Sequence, residues 1–206
     1  MTSAIVPAAG SSSRMGRPKL LLPYRDTTVA GALLDTLRRA GVERIVLVAA
    51  AADTALQAWA RDAGVTVAVN QQPERGMLSS ILAGLDALGG AAAVQAGGRP
   101  LLVTPADLPA IEPSTIQNLI DALARSDAAL AVPAYRGKRG HPLAIAARVV
   151  SDLSTLDPSV GLRQLLDRHP VLDLAVDDPA VVSDVDTPAE YESLRARSAP
   201  QSRPPR

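Results

Sequence analysis

The chain has 206 residues, with 21 lysines and arginines balanced by 21 aspartates and glutamates, and 47% of its residues are hydrophobic. That length and balance predict one α/β domain, or at most two very small ones, and exclude a disordered chain; a nucleic-acid binder would need a basic footprint and stacking aromatics. Cysteine and phenylalanine are absent, which rules out disulfides, thiolate metal sites and a cysteine nucleophile, and leaves Ala, Leu, Val and Ile to build the core.

Taken in order, apolar and polar stretches alternate. Ala4-Ile5-Val6 is a short buried strand that breaks into the small-residue turn Gly10-Ser11-Ser12-Ser13. From Thr28 to Ala40, Val29, Leu33, Leu34 and Leu37 share one helical face and Gly41 is a stop signal. Arg44 to Val48 is a second strand, Asp53 caps a helix through Ala63, and Val65 to Val69 is a third strand. Met77 to Leu88 carries Leu78, Ile81, Leu82 and Leu85 at helical spacing, and the small-residue stretch Gly89 to Arg99 reads as a flexible surface loop. Leu101 to Val103 is a fourth strand, Pro113 opens a helix through Ala124, Ala128 to Val132 is a fifth strand, and Ala189 to Arg197 is a last helix. This alternation predicts a single three-layer α/β/α, Rossmann-like domain over residues 1–197, with a mostly parallel sheet covered on both faces and ligands at the C-terminal strand ends. The polar, proline-rich residues 198–206 read as a disordered tail. No secretory n-region and h-region open the chain and no apolar run is long enough to span a bilayer, so a cytoplasmic protein with no membrane or nucleic-acid partner is expected.

The stretch after the first strand contains Arg14, Gly16 and Lys19, with Pro18 fixing the backbone before the lysine. A strand that runs into a glycine-serine turn leaves backbone N–H groups unused by any ladder, and such groups can cradle an anion. Arginine adds a planar fork and lysine a mobile point charge, the two donors suited to phosphate oxygens; the plain alternative is a surface turn with two solvated cations. Two familiar phosphate loops do not fit. A Walker A loop would need Gly-Lys-Ser/Thr where Gly16 precedes Lys19 by three, and a dinucleotide fingerprint would need glycines where Ser12 and Met15 stand.

The segments that follow the other strands carry the remaining candidates. Asn70 precedes a helix start, Gly76-Met77-Leu78-Ser79-Ser80. Asp107 sits between prolines past the fourth strand, either as a turn aspartate or as a magnesium ligand. Asp184 and Asp186 alternate on one face of an extended segment, where Asp186-Thr187-Pro188 also reads as a helix cap. Tyr135 to Leu143 carries three cations together with Gly140, His141 and Pro142, the densest positive cluster in the chain, and its plain reading is a solvated hairpin, with no carboxylate nearby in sequence to make His141 part of a triad. His169 lacks such a setting and reads as structural or exposed.

Ala8-Ala9-Gly10-x-Ser12-x-Arg14-Met15-Gly16-x-x-Lys19 resembles the signature loop of the MobA-like nucleotidylyltransferases, and within them the molybdenum cofactor cytidylyltransferases; Pro7 replaces the usual leucine. The resemblance implies that Ala8, Ala9, Gly10, Ser11, Ser12, Arg14 and Lys19 wrap a nucleoside triphosphate, CTP by preference. It implies that Asn70, Gly76 and Ser80 line the base and ribose pocket, and that Asp107 and Asp186 hold Mg2+. It further implies that Gly140, His141 and Pro142 meet an anionic phosphorylated acceptor of the molybdopterin type. Lys19, Arg14 and Asp107 would then be the catalytic residues of CMP transfer with release of pyrophosphate. Two other readings are a nucleotidylyltransferase for a sugar or alcohol phosphate and a non-catalytic nucleotide- or cofactor-binding maturation factor for a molybdoenzyme. A nicotinamide-dependent oxidoreductase is disfavoured by the missing glycine fingerprint.

Overall fold

The structure is a computed structural model that describes residues 1–10 and 18–198. Strand β1 (Ser3–Pro7) is followed by a 3₁₀ turn (Lys19–Leu21), a two-residue hairpin of β2 (Pro23–Tyr24) and β3 (Thr27–Thr28), and helix α1 (Val29–Arg39). Next come β4 (Arg44–Ala50), α2 (Thr54–Asp62), β5 (Thr66–Asn70), a 3₁₀ turn (Pro73–Arg75), α3 (Met77–Ala87), α4 (Gly90–Ala96) and β6 (Leu101–Val103). The second half holds α5 (Pro113–Ala124), β7 (Leu130–Tyr135), β8 (Lys138–Arg139), β9 (Leu143–Ile145), a 3₁₀ stretch (Ala147–Thr155), α6 (Arg163–Arg168), β10 (Val171–Ala175), a 3₁₀ turn (Pro179–Val182) and α7 (Pro188–Ser198).

The helix starts follow local chemistry. The Thr28 side chain accepts from the Gly31 amide at the start of α1, and Asp53 accepts from Leu56 at the start of α2. Each thereby satisfies one of the amides that a first helical turn leaves without a partner. The stretch Gly89 to Arg99, expected to be a loop, instead contains α4. Gly89 and Gly90 adopt positive φ, which turns the chain sharply out of α3, and the alanines that follow form a short helix. Its Val94 is buried in the core.

The main sheet runs β10-β7-β9-β6-β1-β4-β5, with β8 paired to β7. It is mostly parallel, as predicted: β1 lies parallel to both β4 and β6, β4 to β5, and β10 to β7. The departure is β9, which runs antiparallel between β6 and β7, and the β7–β8 pair is antiparallel too. Alternate residues of β1 feed opposite faces. Ala4 and Val6 join the layer of α1, α2, α5 and α7, whereas Ile5 joins that of α3 and α4. Helix α3 sits close on the sheet, since a Cβ at Gly84 would lie 2.6 Å from Ile5 Cγ2 and 3.0 Å from Val48 Cγ2. On the first face, α2 brings the sole tryptophan, Trp59, against the core as a partly buried side chain. No single helix among the described residues is long and apolar enough to cross a membrane.

This order positions the site. From β1 the chain steps outward to β4 and β5, then returns across the sheet to β6 on the other side of β1. The strand order therefore reverses at β1 and β6, and a crevice opens beyond their C-terminal ends.

Candidate active site

The crevice holds a cavity of about 340 Å³ lined by Pro7, Ala8, Ala9 and Gly10 from the end of β1, Lys19 and Leu20 from the 3₁₀ turn, and Pro105, Ala106 and Asp107 from the end of β6. Pro73, Gly76, Met77 and Ser80, at and before the start of α3, close a third side, and Asp186 completes the lining. Of the residues singled out in the sequence, Ala8, Ala9, Gly10, Lys19, Gly76, Ser80, Asp107 and Asp186 thus share one cavity. Ser11, Ser12 and Arg14 lie outside the described residues, as do residues 199–206 of the expected tail; Ser198 ends α7.

At its centre the Lys19 ammonium lies 2.6 Å from Asp107 Oδ2 and 2.7 Å from Asp186 Oδ1. All three side chains are largely buried. Burial alone would lower the lysine pKa, but the hydrogen bonds and charge of the two aspartates outweigh it and hold the group above its ordinary value. The backbone supports the arrangement. The Val185 amide donates to the Asp107 carbonyl at 3.1 Å, which pins the 184–186 segment against the end of β6.

The cap reading of Asp186-Thr187-Pro188 resolves locally. Thr187 Oγ1 accepts from the Glu190 amide, and Glu190 Oε2 accepts from the amides of Asp186 and Thr187 at 2.9 and 2.8 Å. That is a reciprocal cap in which threonine does the work, so the Asp186 carboxylate is directed to Lys19. The second candidate, Asp184, is exposed.

Asp107 has one oxygen on Lys19, while its Oδ1 is buried with no hydrogen-bond partner. Among the described residues no group of three His, Cys, Asp or Glu side chains gathers for a metal. Two carboxylates with a spare buried oxygen fit a hard divalent cation that takes its other ligands from water and substrate phosphate.

Asn70 is placed differently from the rest. Its amide nitrogen donates to Ser79 Oγ and Ser80 Oγ at 2.8 and 2.9 Å, and its Oδ1 accepts from the Gln72 amide at 2.9 Å. The side chain is buried and ties the end of β5 to α3, and it borders a neighbouring cavity of about 270 Å³. Sequence reasoning missed Pro7, Leu20, Pro73, Met77, Pro105 and Ala106 as lining residues. Pro7, Pro105 and Ala106 adjoin strand ends, whereas Leu20, Pro73 and Met77 belong to helical turns, and Met77 is notable as an apolar side chain left half exposed there.

The cationic stretch is a hairpin, with Arg136 and Gly137 at its turn. Arg139 is taken up by a two-pronged exposed pair with Asp173 of β10 at 2.7 and 3.0 Å. His141 Nδ1 is buried without a hydrogen-bond partner, and burial lowers the imidazole pKa against the opposing pull of Asp107 and Asp184. His169 pairs instead with Asp152 at 2.8 Å, away from this site.

Gly140 packs directly on the Val181 carbonyl, with no room for a Cβ. Gly140→Ala is expected to cost about 1–3 kcal/mol of stability through overpacking, because the obstacle is backbone and cannot rotate away. Chemical denaturation with an unchanged m value would confirm it.

Residues 4–174 match the family described as the MobA-like NTP transferase domain. The molybdenum cofactor cytidylyltransferase of Escherichia coli (strain K12) is 25% identical over 197 residues, covering 94% of this chain and 95% of that protein. The nicotine blue oxidoreductase of Paenarthrobacter nicotinovorans is 31% identical over 196 residues, covering 90% and 92%. The crystal structure of Rv0371c from Mycobacterium tuberculosis H37Rv is 36% identical, covers 95% of this chain and 97% of its own, and superposes with a TM-score of 0.78. A second structure of that protein, in complex with manganese, is 34% identical over 95% and 98% with a TM-score of 0.73. The fold, the strand-end crevice and a match over most of the chain agree: this protein belongs to the MobA-like NTP transferase domain family.

Proposed function

We propose that the chain transfers CMP from CTP to a phosphorylated acceptor of the molybdopterin type, releasing pyrophosphate, and that residues 1–197 act as one catalytic domain. The observation that carries this reading is the convergence of Lys19, Asp107 and Asp186 on the cavity walled by Ala8, Ala9 and Gly10. In it, the backbone of Ala8 to Ser12 and the side chains of Arg14 and Lys19 hold the triphosphate, and Ser80 with Gly76 borders the nucleoside. Asp107 and Asp186 are suited to hold Mg2+, which when bound would neutralise phosphate charge and orient the reacting groups. A phosphate oxygen of the acceptor attacks the α-phosphorus in line, the bond to the bridging oxygen of the β-phosphate breaks, and that oxygen leaves on pyrophosphate. The attacking oxygen is already anionic, so no general base is required of the protein, and its work is positioning and charge stabilisation. Gly140, His141 and Pro142 are assigned to the acceptor, and a molybdoenzyme is the partner that takes the product.

The test is pyrophosphate release from the pure protein with each triphosphate, Mg2+ and candidate acceptors, molybdopterin against sugar and alcohol phosphates. CTP should be preferred over GTP, because the Ala9 methyl stands in the cavity wall where a purine would need more room. One methyl is worth about 1–3 kcal/mol of discrimination, so Ala9→Gly should narrow the preference. Equal use of both triphosphates by the unaltered protein would refute this base assignment.

The relative named as an oxidoreductase favours a second reading, in which the same cavity holds a dinucleotide for hydride transfer. Ser12 and Met15 stand where the glycines of that fingerprint would be needed. Turnover of a reduced nicotinamide cofactor in place of pyrophosphate release would select it.

A further inference from the structure

Two carboxylates far apart in the sequence converge on one point, and that point is already taken by a cation that belongs to the protein. Lys19 Nζ lies within 2.7 Å of an oxygen of each. A divalent ion shared by the same two oxygens would sit about 2.0–2.1 Å from each if it were magnesium, in the space the ammonium fills. The two cations cannot occupy it together, and charges as largely buried as these are only weakly screened by salt. Asp107 Oδ1 has no hydrogen-bond partner and stays available to the ion once the ammonium has moved.

Lysine, however, is a point charge on a flexible four-carbon stem, and this one stands on the wall of the cavity that would hold a triphosphate. We propose that Lys19 is a placeholder for the metal: it neutralises Asp107 and Asp186 in the nucleotide-free protein and leaves them for the phosphates when a nucleoside triphosphate arrives, so that triphosphate and divalent cation bind with positive coupling. This inference rests on the nucleotide and metal reading above and adds an order to it. The free protein holds metal weakly, and the triphosphate opens the site by giving the lysine a competing partner. Without the placeholder the two carboxylates would lose the cation they share, which is why the same residue serves both states. Coupling of this kind is reciprocal and spans roughly 5–150-fold in affinity.

The experiment is a Mn2+ titration of the full chain followed by electron paramagnetic resonance, with and without CTP, on the wild-type protein, Lys19→Met and Arg75→Met. Methionine keeps the length and apolar stem of lysine without its charge. Arg75 is exposed beside Gly76 of the cavity and hydrogen-bonded to Gln72, so its removal takes a charge from the neighbourhood without emptying the point between the aspartates. Lys19→Met should bind Mn2+ alone about tenfold or more tightly than the wild type, and Arg75→Met should match the wild type. In the wild type, CTP should raise the affinity of the protein site for Mn2+ by a similar factor, and in Lys19→Met that enhancement should shrink. Unchanged or weaker Mn2+ binding by Lys19→Met, or an equal gain in both variants, would overturn the placeholder while leaving the two-carboxylate site standing. Absence of Mn2+ binding in every protein, with or without CTP, would remove the metal reading itself. Circular dichroism establishes that each variant is folded, and Lys19→Arg, which keeps a cation in place, should show no gain.

Discussion

Asp107→Ala and Asp186→Ala are each expected to lower nucleotidyl transfer by at least about a hundredfold, the scale on which a single group aimed at transition-state charge is felt. The two substitutions together should cost little more than either one, because both carboxylates serve one cation and the loss of either disables the unit. Steady-state turnover of the two single variants and the double variant would decide this. Folding should survive in each single variant, since Lys19 keeps one of the two aspartates: Asp186 at 2.7 Å in the first and Asp107 at 2.6 Å in the second. An Asp107→Ala protein with near wild-type turnover would remove the mechanism proposed here, whatever became of Asp186.

Lys19→Ala is expected to lower kcat by about a hundredfold with a smaller change in KM, because a cation that meets the charge growing on the transferring phosphoryl group acts mainly in the transition state. A rise in KM alone would make the lysine a plain binding contact. The same substitution has a readout with no substrate present. With the ammonium gone, Asp107 and Asp186 lose the cation they share, so the metal-free variant should unfold at a lower temperature than the wild type, and added Mn2+ should recover much of the difference by binding only the folded state. Arg14→Lys should also be harmful, since a point charge replaces a two-pronged fork.

Much of the first half was legible in the sequence because its signals are local. Thr28 and Asp53 announce helix starts through their own side chains, and the strands next to them are plain apolar runs. The second half was harder for reasons that lie in its packing. Strand β9 is only three residues long and is defined by partners on both sides; β10, at the sheet edge, has a side-chain pattern diluted by Asp173. Helix α4 was hidden because glycines bracket it, and glycine as helix boundary looks the same in sequence as glycine in a loop. For the site, the rule that ligands gather at strand ends led to Asp107. Its meeting with Lys19, 88 positions away, and the meeting of Lys19 with Asp186, 167 positions away, required the sheet order. Asn70 shows the converse. It stands at the C-terminal end of β5, where a ligand contact is expected, yet its polar atoms are engaged with Ser79, Ser80 and the Gln72 amide.

The tryptophan on α2 decides how this protein can be watched. Trp59 is the sole indole, and its helix α2 contributes no residue to the described lining of the cavity between β1 and β6, which contains no aromatic ring. Its emission will therefore track loss of the native core and stay nearly silent when a nucleotide enters, so an unchanged fluorescence signal during a ligand titration carries no information about occupancy. A base in that cavity would lie against prolines, alanines and a methionine, with no ring to stack upon; an optical reporter has to be brought in on the ligand.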